Sequence, residues 1–318
     1  MIVDAQIHEP SVELDWGGAP DSVRRQLLTE LQLGYMRAAG VDRALVNPAD
    51  LEWGLEVVEQ HPDRFALVPL IMVGGMHEGL DPAADDIGET IAEYSRNPGV
   101  VAFRAIIVMA QDTDLDGQPS SSLVSGVREL REGLFDSTFR ACEEQGVPLF
   151  VELTGEVAAL REVALRFPDL KLILDHMGMP GPPSYVQDSP PMRLMSDLLS
   201  LAEHPNIHLK ATAVPSLSCE PYPFADIWPN MRRIVDAFGA DRIMWGSDIS
   251  RVHGRIGFNI NIGSGLDSSF AGRHSYAESV LAFRETDALS DREKRLMMGE
   301  TLLDVIGWPK SVAQPSPG

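Results

Sequence analysis

Several side chains able to move protons, hold a cation or bind an anion sit at or near the ends of short apolar runs in this chain. Gln6 and His8 close VDAQIH two residues apart, so on a strand they leave from the same face. Arg104 lies within VVAFRAIIV, Glu152 near the end of VPLFVEL, His176 at the end of LKLILDH, Lys210 in NIHLKAT and Asp248 at the end of DRIMWGSD. Carboxylates and imidazoles exchange protons or ligate metals, and lysine and arginine stabilise developing negative charge on oxygen. Taken singly, each has a plain structural reading; a histidine after an aspartate, as in LDHMG, is often a hydrogen-bonded turn residue. Burying so many charged groups costs several kcal/mol unless they are paired or used, so together they read as a site.

The elements that must position them follow from an alternation along the chain. MIVDAQIH, RALVNP, RFALVPLIMV, VVAFRAIIV, VPLFVEL, LKLILDH, NIHLKAT and DRIMWGSD are β-like runs. Between them lie segments with apolar residues at helical spacing, such as PDSVRRQLLTELQLGYMRAAG, LEWGLEVVEQHPD, STFRACEEQG, GEVAALREVALRFPD and DIWPNMRRIVDAFG. Strict strand and helix alternation predicts a parallel sheet, and near-continuous apolar strands predict that both its faces are covered. The count fits an α/β fold of (β/α)8 (TIM) barrel type, which takes about 250 residues plus insertions, better than a doubly wound open sheet. No glycine-rich loop follows the first strand, as the open sheet would require. A single domain over residues 1–308 is predicted, with a disordered Pro- and Ser-rich tail at 309–318. Long loops are expected after strands 4 and 8, at residues 111–126 and 253–275, where barrels carry their sites.

Composition bounds the partners. A chain of 318 residues, 44% hydrophobic, can bury a substantial core, and a net charge of −21 repels polyanions. Nucleic acid and anionic membrane surfaces are therefore not expected partners, whereas a small-molecule substrate is, and a homo-oligomer is compatible with the sequence. Cys142 and Cys219, far apart and with no CxxC, fit a reduced cytosolic protein. No signal-peptide pattern and no apolar run of spanning length are found, so a soluble cytoplasmic protein is expected.

Other residues offer weaker signals. Arg104 either anchors a substrate carboxylate through its planar fork or neutralises Glu152. Arg251, His253 and Arg255, on the loop after strand 8, either bind an anionic substrate or are simply solvated. Tyr222 and Phe224 in CEPYPF either line a pocket or pack. Met72, Met76, Met177 and Met179 suit a pocket wall or a core equally, and His61 and His204 close helices.

VDAQIH, FVEL, LILDHMG, HLKATA and MWGSD, in this order, resemble the amidohydrolase-related (β/α)8 hydrolases and decarboxylases, over residues 1–308. The branch with LDHxG and WGSD includes lactonases acting on dicarboxylate lactones; metal-dependent decarboxylases lie further off. The resemblance implies that His8 is the second histidine of a strand 1 pair, His176 the strand 6 histidine, and Asp248 the strand 8 aspartate that ligates metal or accepts a proton. Two positions depart: Gln6 takes the place of the first histidine, and Glu152 that of a strand 5 histidine. A glutamine amide is a poor zinc ligand beside imidazole, while Glu152 is a competent one.

Two mechanisms follow from the resemblance. In one, His8, Glu152, His176 and Asp248 hold a divalent ion, Zn²⁺ or Mn²⁺, that activates water. In the other no metal binds: Asp248 is the general base, His176 orients or protonates, Arg104 and Lys210 stabilise the oxyanion, and Gln6 hydrogen-bonds the substrate or a neighbouring carboxylate. The second is preferred because of Gln6. The expected activity is hydrolysis of a C–O or C–N bond in a small carbonyl compound such as a lactone or cyclic amide. The alternatives are non-oxidative decarboxylation of an aromatic or unsaturated acid, and a barrel that only binds a ligand or partner.

Overall fold

The computed structural model describes residues 1–10, 20–48, 50–74, 79–108, 118–180, 191–249 and 274–308. Its strands are β1 (Val3–Ile7), β2 (Arg43–Val46), β3 (Phe65–Leu67), β4 (Leu70–Met72), β5 (Phe103–Val108), β6 (Leu149–Leu153), β7 (Leu172–Leu174), β8 (Ile207–Thr212) and β9 (Ile243–Gly246). They are paired in parallel in the orders β1-β2-β3 and β4-β5-β6-β7-β8-β9. The third predicted strand is thus two pieces, β3 and β4, separated at Val68 and Pro69. Proline has no N–H to give the ladder, so the pairing lapses there. The break is spanned on both sides: Val68 N–H donates to Val46 C=O at 2.9 Å, and Arg104 N–H to Pro69 C=O at 3.0 Å. At the other end of the series Asp248 N–H, just past β9, donates to Gln6 C=O on β1 at 3.0 Å. The (β/α)8 barrel expected from the alternation is the fold.

The apolar pattern divides between the two faces of the wall. Val3, Ala5, Leu45, Ala66, Val68, Ala102, Phe150, Ile173 and Met244 pack into one buried cluster inside it. Ile7, Ala44, Val46, Phe65, Leu67, Ala105, Val151, Leu174, Leu209 and Trp245 belong to the larger core beneath the helices. The helix α11 (Thr301–Ile306) adds Leu302, Leu303 and Val305 to the inner cluster, with Trp308 after it, and so closes the barrel floor. Above this layer the inward residues turn polar.

The outer helices form where the apolar spacing placed them. α1 (Asp21–Ala39) and α2 (Leu51–Gln60) follow β1 and β2, and His61 ends α2 as expected. α3 (Ile87–Tyr94) precedes β5. The loop predicted at 111–126 is shorter than expected, because Ser121 already begins α4 (Ser121–Arg131). Ser120 caps it by accepting from Leu123 N–H at 3.0 Å. Gly126 lets that helix lie against β5: a Cβ there would stand 2.1 Å from Ile107 C=O. α5 (Asp136–Gln145), α6 (Leu160–Arg166), α7 (Met195–Ser200) and α8 (Trp228–Phe238) cover the later strands; α9 (Tyr276–Glu285) and α10 (Asp291–Arg295) follow β9. The tail at 309–318 and residues 251–273, with Arg251, His253 and Arg255, lie outside the described residues, as does Met76. Among the described residues no helix is long and apolar enough to cross a membrane.

Candidate active site

The C-terminal ends of the strands bring Gln6, His8, Arg104, Glu152, Lys210 and Asp248 to one mouth. On β1 the register slips between Asp4 and Ile7, a bulge that lets both Ala5 and Gln6 serve the interior. Gln6 Nε2 donates to Asp248 Oδ1 at 2.8 Å and lies 3.1 Å from His8 Nε2. His8 Nε2 is itself 3.1 Å from Asp248 Oδ1, and its side chain is 18% exposed against 2% for Asp248. Amide, imidazole and carboxylate thus meet at the seam between β1 and β9.

Asp4 builds that seam. Its carboxylate accepts from Ser247 N–H at 2.8 Å, from Gln6 N–H at 3.1 Å, from Tyr276 O–H at 3.0 Å and from the Ser247 hydroxyl. Burial nevertheless pushes its pKa up to about 6, against the pull of these donors. Asp4 therefore ties β1 to the turn carrying Asp248 and to the first turn of α9. The capping box of Ser275 and Glu278 fixes that turn.

A second cluster lies on β5 to β8. Arg104 donates through Nη2 to Glu152 Oε2 at 2.8 Å and through Nε to Asp175 Oδ2. Lys210 Nζ stands 2.7 Å from Asp175 Oδ1 and 4.5 Å from the centre of the Phe150 ring. All four charged groups are buried. Burial pushes the Asp175 carboxyl up, but Lys210 and then Arg104 more than offset it, leaving the pKa at about 2. Burial lowers Lys210 to about 8 although Asp175 favours its charge. Of the two roles anticipated for Arg104, the contact with Glu152 is present; Asp175, to which the sequence reading gave no role, holds its other edge.

That ion-paired wall also holds Asp175, the first residue of the turn that carries His176. The turn after β7, Asp175–Gly178, places His176 at φ 51 and Met177 at φ 55, and Asp248 after β9 sits at φ 55. Non-glycine residues reach this left-handed region at a cost, and such strain collects at functional sites. Gly178 permits the tight packing of the turn, since a Cβ there would lie 1.9 Å from Val157 Cγ1. Met177 and Met179 belong to the core, while Met72 joins Leu70 and Ile106 in a small apolar wall above the inner layer.

Two residues that the sequence reading passed over are also buried there. Asn47 follows β2; its N–H donates to Ile7 C=O at 2.9 Å, and neither amide atom of its side chain has a partner among the described residues. His274, just before α9, is 1% exposed, and neither ring nitrogen has a partner among them. Burial lowers its pKa to about 4, and the charges of Glu278 and Asp248 only partly offset that. Its ring meets Phe224 edge-on at 6.1 Å, and Phe224 meets Tyr222 at 5.8 Å. Phe224 is buried; Tyr222 is 41% exposed.

Parallel strands in sequence order, with polar residues gathered at their C-terminal ends, define a (β/α)8 barrel with a polar site at that mouth. The chain belongs to the amidohydrolase family, whose model matches residues 3–301. It is 35% identical over 183 residues to an L-fucono-1,5-lactonase of Burkholderia ambifaria, a match covering 56% of this chain and 56% of that one. Two solved structures share the fold. An amidohydrolase from Burkholderia multivorans with bound zinc is 18% identical and superposes with a TM-score of 0.66, over 97% of this chain and 100% of that one. A candidate 2-pyrone-4,6-dicarboxylic acid hydrolase from Pseudomonas putida is 17% identical, with a TM-score of 0.60 over 98% of each chain.

The zinc of the Burkholderia multivorans relative makes the donor set here worth testing. His8 and Asp248 adjoin, but the third member of the seam is the Gln6 amide, and Glu152 is bonded to Arg104. Among the described residues no three His, Cys, Asp or Glu side chains are grouped to hold an ion. As placed, the residues do not fit a divalent cation.

Proposed function

We propose that this protein is a hydrolase that opens the ring of a small lactone, with Asp248 as the base that activates water. The observation that carries the reading is the seam, where the Asp248 carboxylate is oriented by Gln6 Nε2 at 2.8 Å and His8 Nε2 at 3.1 Å. The likeness to an L-fucono-1,5-lactonase supports the lactone as substrate.

In this reading Asp248 takes a proton from water as the oxygen attacks the lactone carbonyl carbon. The tetrahedral intermediate collapses by breaking the ring C–O bond, and His176 delivers a proton to the departing alkoxide. The product is an open hydroxy acid; the proton taken by Asp248 leaves to solvent through His8, and His176 regains a proton from solvent before the next turnover. General acid and base assistance of this kind contributes about 10²–10⁴-fold each. Arg104 and Lys210 act at one remove: bound to Glu152 and Asp175, they fix the turn that presents His176 and keep the local potential favourable to an oxyanion.

The test is proton release from a panel of sugar-acid 1,4- and 1,5-lactones, run in parallel with carbon dioxide release from hydroxybenzoic acids. Lactone turnover that Asp248→Asn abolishes supports the reading. Carbon dioxide without lactone opening would assign the site to decarboxylation, and neither activity would leave a binding barrel.

A further inference from the structure

The buried polar groups near the mouth fall into two kinds. Those of the seam and of the ion-paired wall have protein partners, whereas the side chains of Asn47 and His274 have none among the described residues. A buried donor or acceptor without a partner forfeits the hydrogen bonds it would make to water, so such groups persist where something else supplies the bond.

The fold takes trouble to put His274 where it is. The Ser275 hydroxyl accepts from Glu278 N–H at 3.2 Å, Glu278 Oε2 accepts from Ser275 N–H at 2.7 Å, and Tyr276 O–H is bonded to Asp4. The residue before this anchored turn is thereby carried to the seam, near enough to Asp248 to feel its charge, with the Phe224 ring against it. Asn47 comes in from the other flank. Leu45 points into the barrel interior and Val46 outward, so Asn47 points inward, on the strand next to Gln6 and His8. Both side chains are neutral, and each offers a donor and an acceptor together. That pairing matches a hydroxyl group, which both donates and accepts; a carboxylate would engage only the donors.

We propose that His274, with Asn47, is a substrate-binding residue that hydrogen-bonds hydroxyl groups of the substrate, making the preferred ligand a neutral, polyhydroxylated lactone over an unsubstituted or dicarboxylate one. This rests on the lactonase reading for the bond that is broken, but concerns only what is bound.

The test compares His274→Gln, His274→Phe and Asn47→Leu with the wild type on a sugar 1,5-lactone and on δ-valerolactone, which lacks hydroxyls. Thermal melts establish that each variant is folded. His274→Phe should raise KM for the sugar lactone tenfold or more, with kcat changed less than threefold, and its loss in kcat/KM on that substrate should exceed the loss on δ-valerolactone by at least tenfold. His274→Gln, which keeps a donor and an acceptor, should recover most of the defect. Equal losses on both substrates, or none on either, would overturn the proposal while leaving a lactonase standing. Calorimetric binding of a non-hydrolysable hydroxylated lactam separates the two ideas. Binding weakened tenfold by His274→Phe in a protein that opens no lactone would sustain the hydroxyl site and defeat the hydrolase, and no binding with no turnover would defeat both.

Discussion

At the seam between β1 and β9 a carboxylate is held by an amide and an imidazole; on the wall from β5 to β8 two carboxylates are held by two cations. Both clusters are polar and lie at the same end of the barrel, yet they suit different work. Opposite charges in a sealed pocket lock one another: moving a proton or a side chain there exposes a buried charge, so Arg104, Glu152, Asp175 and Lys210 make a scaffold. The Asp248 carboxylate is bonded instead to the Gln6 amide and the partly exposed His8 imidazole, neither of which carries a permanent charge. In the proposed reading, rigid charge pairing holds the geometry of the mouth and exchangeable hydrogen bonds do the chemistry.

The comparison breaks most severely at Arg104. Arg104→Met should leave Glu152 and Asp175 facing a single cation and cost about 3–5 kcal/mol of stability. Urea unfolding should show it, and whatever activity remains should fall alike on charged and neutral substrates. A KM defect confined to carboxylate-bearing substrates, with stability intact, would return Arg104 to substrate binding. At the seam, Asp248→Asn should keep the wild-type melting profile and reduce kcat by about a hundredfold or more. Near-normal turnover by a folded Asn variant would remove the base from the mechanism.

Acid should reach the wall only well below the range in which Asp4 of the seam takes up its proton. Asp175 has its pKa lowered from 3.8 to about 2, so its stabilisation is complete above its unfolded value and is lost as pH falls through its folded one. Between pH 4 and about 2 that loss amounts to roughly 2 kcal/mol. Asp175→Asn should be less stable than the wild type at pH 6, and the gap should narrow in urea titrations toward pH 2.5; a gap constant with pH would mean that charge pairing is not what Asp175 contributes. The smallest expected effect is that of metal removal. Dialysis against a strong chelator should leave turnover unchanged, while Gln6→His should bind zinc more tightly than the wild type by supplying a second imidazole beside His8. Stoichiometric metal in the wild type whose removal stops turnover would replace the amide-held base with a metal-bound water.

How much of this was legible in the sequence depends on which contacts are local. The alternating apolar runs located the strands, and the polar residues at their ends put Gln6, His8, Glu152, His176, Lys210 and Asp248 at one mouth. Even the interruption between β3 and β4 is written in RFALVPLIMV, where Pro69 withholds a ladder donor. The pairings were not legible, because Arg104 meets Asp175 from another strand and only the closed ring decides who faces whom. Asp4, present in the sequence only as a letter of VDAQIH, proved to be the clasp of the seam. Asn47 was hidden inside a strand-like run, and His274 at the end of a polar stretch with no periodicity. The one available signal for His274 was the Ser275 to Glu278 capping box directly behind it.

The floor of the barrel bears on the order in which the site comes into being. Leu302, Leu303 and Val305 of α11 share the inner cluster with Val3 and Ala5 of β1, so the two ends of the described chain meet there. Contacts so far apart in sequence carry the largest loop-closure cost and form late. β1 is also the strand that carries Gln6 and His8 to Asp248. A folding chain can therefore assemble β5 to β8, with their charge network, while the seam still stands open, and catalytic competence should appear only with the last ring-closing step. On refolding, recovery of turnover should lag behind the return of secondary structure.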